Sequence, residues 1–556
     1  MSSEKGSGPP ATASPPSTAR GPRFWLILVA LGCALCLVSI ELTATSTALP
    51  AITDDLNGSD FIWISSSYTL ASTAILPLSG GISEIFGRRP AILSALGLFS
   101  LGSVFCGTAK SMAWLIGGRT VQGLGGGMIL SVSNIIIGDL VTLQERGFVS
   151  GVLGLSWALS AAFGPLIGGA LADVGQWRWI FYLNLPISAL AIILVLTLLN
   201  LPTPSGTTRE KLAKMDWTGN ILVIASTAAI VVALTWGGVV FSWSSFHVLV
   251  PLILGVAGMV VFMVYEARFA KHPIVPFEIL SNRTSLSGYL QTVLSPIVML
   301  AAIYYLPTYY QACKGASPRQ SGIDSFGLTM ALGPASVITG ISVTRTGKYR
   351  YQCYLGWAIL VAATGALTTI HADTPLARAI GLPSLISIGA GMIYSAGYFP
   401  VLAPLPVSRN AHALAFFAFC RSFAGVWGVT VAGTVLQNEL AKRLPDEFIA
   451  DLPSGDGVTI AYAAIPRIAS LEEPLRSQVR AAFAESIRVI WLVLVAVSAA
   501  GLLSTMLMKD IPMQGKMDEK WAVTGDRNRG TPTTDDTETP ATDDRGTPVA
   551  GDTTTA

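Results

Sequence analysis

Charge is what this sequence has least of. Only 12% of its 556 residues are Asp, Glu, Lys or Arg, against about 25% in a soluble globular chain. The deficit falls in long uninterrupted blocks, which excludes one ordinary water-soluble core and points to many membrane spans. A net charge of +2 with no dense basic block leaves no footprint for nucleic acid. Cysteine is scarce too. Cys33, Cys36, Cys106, Cys353 and Cys420 fall inside apolar runs and Cys313 near the end of one, which speaks against a disulfide framework. The four histidines, His247, His272, His371 and His412, are scattered without metal-ligand spacing, and His412 reads as structural. No metal or other cofactor is expected. There is no G-x-x-x-x-G-K-[ST] phosphate loop to power an ATPase, and no catalytic cluster marks an enzyme.

What is present is a succession of apolar runs. Residues 1–23 are too polar to bury anything and read as a disordered tail. The run that starts at Phe24 is too long for a signal peptide and lacks a small-residue cleavage site, so it reads as a retained span. Fourteen spans are predicted, at about 24–47, 61–80, 91–109, 112–137, 148–172, 179–200, 217–237, 246–266, 286–311, 323–343, 353–371, 379–403, 411–436 and 487–508. The connection 437–486 is long, with a surface helix expected between Pro466 and Arg480, and the polar tail 509–556 is expected to be disordered.

Positive charge sets the orientation. With the N-terminus inside, the short inner loops hold Arg88, Arg89, Arg146, Arg209, Lys211, Lys214, Arg268, Lys271, Arg283, Arg345, Lys348, Arg350 and Arg409. The short outer loops hold Lys110, Arg178, Lys314, Arg319 and Arg378. Thirteen against five predicts that both termini are cytoplasmic and that 437–486 is outside.

The layout repeats. Gly80-Gly81-Ile82-Ser83-Glu84-Ile85-Phe86-Gly87-Arg88-Arg89-Pro90 reads as a tight basic loop between two spans. Shifting it by 260 residues lays Gly80 on Gly340, Glu84 on Thr344, Gly87 on Gly347 and Arg88 on Lys348. Such a duplication marks a transporter built from two related bundles. The offset makes spans 1–6 (residues 24–200) and 9–14 (284–508) the two bundles, with the linker and spans 7 and 8 (201–283) inserted between them.

Several residues carry chemistry. Glu41 closes the first span, in apolar surroundings that disfavour a carboxylate's charged form. Arg119 lies within the fourth, where an arginine costs at least about 3 kcal/mol unless it faces protein or water. Gly164, Pro165, Gly168 and Gly169 permit close helix contact and a bend in the fifth. Glu84 and Arg88 can form a charge relay between helix ends, with Gly80 and Gly87 letting those ends approach and Arg89 adding charge. Asn57-Gly58-Ser59 is a candidate N-glycosylation site in the first outer loop; Asn282-Arg283-Thr284 has the same pattern but falls inside.

Five stretches carry a family resemblance. The loop Gly80–Arg89 resembles that of the major facilitator superfamily, except that Ile85 stands where a basic residue is usual. Leu115–Gly127, centred on Arg119, is similar to the family's fourth-span signature, in which the arginine serves proton coupling. Ser160–Gly169 resembles the fifth-span signature of drug–proton antiporters. Glu41–Pro50 is similar to the first-span signature of the fourteen-span antiporters, with Glu41 where Asp is usual, and Trp177–Pro186 also resembles that subfamily. The resemblance implies an all-α polytopic major facilitator fold of two six-helix bundles plus two inserted helices. It further implies a proton-coupled exporter of a drug, toxin or other secondary metabolite, of the fungal multidrug-efflux kind. The partners are then a small molecule, protons and the bilayer, for a monomer in the plasma or vacuolar membrane. A siderophore, organic-acid or basic amino-acid carrier is the alternative within the fold, and a non-transporting receptor or scaffold the alternative outside it.

Overall fold

The computed structural model describes residues 21–56, 61–201, 204–238, 240–450 and 460–512. Asn57 and most of both tails lie outside these residues. Fourteen long helices dominate the described residues. They are α1 (Pro22–Asp55), α2 (Phe61–Phe86), α3 (Arg88–Gly107), α4 (Met112–Leu140), α5 (Leu143–Asp173), α6 (Asn184–Leu198) and α7 (Trp217–Trp236). There follow α8 (Phe246–Arg268), α9 (Arg283–Lys314), α10 (Leu332–Thr346), α11 (Arg350–Leu367), α12 (Leu376–Ala396), α13 (Asn410–Arg443) and α14 (Leu475–Thr505). Among the described residues, thirteen helical segments are long and apolar enough to cross a membrane. In three of them short helices continue the long one: Trp179–Tyr182 precedes α6, Pro318–Asp324 and Phe326–Met330 precede α10, and Tyr398–Leu402 follows α12. The one expected span missing from the thirteen is 353–371. Its helix, α11, forms, but it opens Arg350-Tyr351-Gln352 and is diluted below the composition of a self-sufficient span. Packing completes it, with Trp357 and Leu360 fully buried against α12 and α14.

Helix starts follow local capping. Ser111 accepts the Trp114 amide at the start of α4, and Thr142 with Glu145 forms a capping box on α5. Pro77 falls inside α2, and Pro296 and Pro307 inside α9, each removing one backbone hydrogen bond.

Two expected connections are much shorter than the sequence suggested. The basic loop 80–90 is reduced to Gly87 alone, whose φ of 100° suits glycine, and Gly80 and Gly81 lie inside α2. In the related stretch Gly347 turns the chain likewise, with φ 67°. Connection 437–486 contracts from both sides, because α13 continues to Arg443 and α14 starts at Leu475. Ion pairs hold these extra turns: Glu439 pairs with Lys442 and Arg443, and Glu473 with Arg476. The surface helix expected over 466–480 is divided between Ile460–Ile468 and the first turns of α14.

Helices α1–α6 pack on one another around a core that includes Leu37, Phe99 and Ile129. Helices α9 and α11–α14 share a second core around Trp357, Leu360 and Trp491, and α10 packs against α12. Helices α7 and α8 pair, and α7 leans on α2 and α13. The two six-helix groups meet through α2 with α13 and α5 with α10.

The closest backbone approaches between the groups lie toward one end of the bundle, the one carrying Arg88, while the packing of α5 on α10 continues to Gly333, which lies against Leu155 and Ala158. Gly80 lies so close to α13 that a Cβ there would come 2.7 Å from that of Ala415. Gly340 lies against the Gly147 carbonyl, so a Cβ there would strike backbone. The Ser395 hydroxyl donates to the Gly147 carbonyl at 3.2 Å, and the Tyr398 hydroxyl donates to Asn134 Oδ1 at 3.1 Å. Of the described hydrogen bonds joining the two groups, the one farthest toward the opposite end, which carries Trp177, is Thr73–Ser422 at 2.7 Å.

Candidate functional site

The α1–α6 group holds a buried ionic network. Glu41 on α1 is 0% exposed and Arg119 on α4 is 2% exposed, and the two form an ion pair. Arg119 Nε donates to the Ile64 carbonyl at 2.9 Å, and Nη1 also donates to Gln122 Oε1 at 2.7 Å. Its guanidinium lies 4.5 Å from the centre of the Tyr68 ring. Glu41 accepts from the Thr45 hydroxyl at 2.9 Å and from Asn184 Nδ2 at 2.5 Å. Ser103 on α3 ties the shell together, accepting from Gln122 Nε2 at 2.9 Å and from Asn184 Nδ2 at 3.3 Å. Five helices therefore converge on one carboxylate. Burying two charges is repaid only by such geometry, and losing one partner alone costs about 3–5 kcal/mol.

Arg119 is thus enclosed rather than reaching for water. The sequence reading missed Gln122, Asn184 and Tyr68, although an amide side chain inside an apolar run is a signal in its own right. It placed Asn184 only within the stretch Trp177–Pro186, where Trp177 Nε1 and Arg178 Nη1 donate to Asp55 Oδ2 at 3.1 and 2.9 Å.

The expected Glu84–Arg88 relay is replaced by two separate pairs. Arg88 bonds Asp139 Oδ2 on α4 at 2.8 Å, with both side chains buried, and also reaches the Ser83 carbonyl at 3.2 Å. Glu84 instead turns across to the second group, where its Oε2 lies 3.0 Å from His412 Nδ1 on α13. That approach is within ion-pair reach but off the line of a hydrogen bond. Helical geometry is the cause, since residues four apart share a face only if the helix continues, and Gly87 ends it. Asp139 escaped the sequence reading because α4 runs past the expected span end at 137. It shows that Glu41 is not the only acidic residue buried in the first four helices. Arg89 is partly exposed and donates to Asn200 Oδ1 and to the Leu196 carbonyl.

Helix α5 links the two regions. Gly164 packs so tightly on Thr43 of α1 that no Cβ could fit, two residues from Glu41. Gly168 is buried, Gly169 has open space around it, and the Pro165 side chain lies outside the described positions. Farther along the same helix, Gly147 and Gly151 touch α10. Among the described residues, no cluster of His, Cys, Asp and Glu could hold a metal ion.

Comparison with known proteins agrees with this architecture. The family model of the Major Facilitator Superfamily matches residues 31–429. The "MFS-type efflux pump LUC4" of a Fusarium species is 34% identical over 521 residues, 92% of each chain. The "Efflux pump FUS6" of Gibberella fujikuroi is 36% identical over 517 residues, 92% of this chain and 93% of that one. Among solved structures, the proton:xylose symporter XylE superposes with a TM-score of 0.56 at 13% identity, covering 89% of this chain and 97% of the other, which speaks to the fold alone. By sequence over most of its length and by the arrangement of its helices, this chain belongs to the Major Facilitator Superfamily, a family of membrane transporters and not of enzymes.

Proposed function

We propose that this protein exports a small amphipathic organic compound in exchange for protons, with Glu41 as the proton-carrying group. The names of its relatives support export. The observation that carries the coupling is the buried Glu41–Arg119 pair. A proton on Glu41 removes the charge that balances Arg119 and leaves the guanidinium buried with only neutral acceptors, a loss of about 3–5 kcal/mol that drives rearrangement of α1 against α4. Helix α5 transmits that movement, since Gly164 touches α1 beside Glu41 and Gly147 touches α10 at the closed end. The Glu84–His412 approach and the Arg88–Asp139 pair then act as latches of that end.

The charge count makes the Arg88 end cytoplasmic, so the contacts between the groups close the inner side. The units that rock are α1–α6 and α9–α14, with α7 and α8 an inserted pair. A single copy contains the whole arrangement, and for an exporter the plasma membrane is the boundary that matters. Purified protein in proteoliposomes with an imposed pH gradient tests the reading. Dye accumulation should follow the gradient and collapse with a protonophore; accumulation indifferent to the gradient sinks antiport.

A further inference from the structure

Arg421 lies eleven residues into α13, about 17 Å from Asn410 at 1.5 Å per residue. That depth is the middle of the hydrocarbon layer, where an arginine is tolerated only against protein or water. The three arginines buried in the described helices each have a partner: Arg119 pairs with Glu41, Arg88 with Asp139, and Arg146 donates to the Asn134 carbonyl. Arg421 has no acidic partner among the described residues. Its guanidinium instead lies 3.8 Å from the centre of the Tyr394 ring on α12, and it remains half-buried.

The surroundings show that it does not face lipid. Tyr394 lies against Gly154 of α5, and Tyr398, one turn further along, donates to Asn134 of α4. Arg421 therefore sits where α4 and α5 of one group meet α12 and α13 of the other. Beneath it, toward the Arg88 end, Tyr398 stacks on Phe417 with ring centres 4.5 Å apart, and both are buried. The next residue, Ser422, makes the bond to Thr73 that lies farthest toward the Trp177 end. A partly exposed cation thus rests on an aromatic floor, at the level where the bonds between the two groups stop.

We propose that Arg421 is the recognition site for an anionic group of the exported compound, a carboxylate or an ionised acidic enol attached to an apolar body. The guanidinium supplies the paired donors that match two oxygens, and the Tyr394 face fixes its plane. The aromatic floor takes the apolar part. A neutral compound forgoes the ion pair and binds by its apolar body alone.

This inference rests on the export reading, and the test separates the two. The probes are pyrene-1-butyrate and its methyl ester, with binding followed by quenching of tryptophan emission for full-length protein in lipid nanodiscs. The acid should bind at least tenfold more tightly than the ester. Arg421→Gln should reduce the acid to the level of the ester, and Arg421→Lys should keep part of the preference, both with unchanged thermal unfolding. Equal binding of acid and ester, a preference that survives in a folded Arg421→Gln, or binding of neither probe overturns the assignment. Gradient-driven transport of both probes is measured separately. Export of both, with no preference at the binding step, leaves the exporter standing without its anion site. An Arg421-dependent preference without uphill export preserves the site and removes the exporter.

Discussion

The two six-helix groups each bury a polar cluster, built from opposite chemistry. In α1–α6 the cluster is ionic, Glu41 and Arg119 wrapped in amide and hydroxyl donors and acceptors. In α9–α14 it is neutral. Gln291 Oε1 accepts from Trp357 Nε1 at 3.0 Å, Gln291 Nε2 donates to Ser287 at 3.0 Å, and Ser287 donates to the Ser504 carbonyl at 2.6 Å. Both clusters knit their helices together, and both leave few groups unpaired. Only the first can be unbalanced by a single proton. On the proposed reading, similar burial serves two ends: a switch where a charge pair is enclosed, and a fixed brace where it is not.

The largest effect should follow from discharging the ionic cluster. Glu41→Gln keeps size and hydrogen bonding but removes the titrating group, so uphill export should vanish while downhill exchange persists. Arg119, left without its counter-charge, should lower thermal stability by about 3–5 kcal/mol. Adding Arg119→Gln should recover part of that stability without restoring uphill export, and Glu41→Asp should retain much of the activity. A Glu41→Gln protein that accumulates substrate against a gradient takes Glu41 out of the mechanism.

The latches rank next. Arg88→Ala removes the guanidinium bonded to the buried Asp139 carboxylate and should both destabilise the protein and slow turnover. Glu84→Gln keeps its contact with His412 without the charge, and should slow export by about tenfold, equivalent to about 1.4 kcal/mol on the limiting step. Initial-rate measurements at matched protein level decide. Wild-type rates for both variants would show that closure of this end does not depend on the pairs.

Much of this was legible in the sequence, and the remainder fails in an instructive way. Apolar runs located the helices, because a bilayer allows few alternatives to a helix. Glu41 and Arg119 stood out as charges in apolar stretches. Their partners did not, because Asn184 meets Glu41 across 143 residues of chain, and an amide inside an apolar run, such as that of Gln122, marks a polar contact without saying to what. The Glu84–Arg88 relay failed on one backbone angle, that of Gly87, which sends the two side chains to different neighbours. Arg421 was passed over inside a run counted as apolar. Its importance shows only when α4, α5, α12 and α13 are brought around it.

The neutral brace should respond more modestly and in stability alone. Gln291→Leu leaves the buried indole N–H of Trp357 unpaired, which should cost about 1–3 kcal/mol. Adding Trp357→Phe removes that orphan and should recover part of the loss. Export rates of the folded protein should stay at wild-type level in both. Loss of uphill export without loss of stability would place a switch in the second group as well.

The smallest effect should come at Lys348, and it bears directly on the duplicated turn. Lys348 holds the position that Arg88 holds in the first copy, yet the two surroundings share little beyond the glycine turn. Arg88 is 3% exposed and bonded to Asp139, whereas Lys348 is exposed and lies 5.7 Å from the centre of the Tyr351 ring. At the Glu84 position the second copy has Thr344, whose hydroxyl donates back to the Gly340 carbonyl at 2.9 Å. Lys348→Ala should therefore shift stability by no more than about 0.5 kcal/mol and leave export unchanged. Gly340, by contrast, lies against the Gly147 carbonyl, so the second turn contributes through helix approach and the first through charge as well. Thermal unfolding and gradient-driven export of Lys348→Ala and Arg88→Ala, measured side by side, test this asymmetry. Equal losses in the two variants would mean that the second turn carries a charge contact of its own and that the copies act alike.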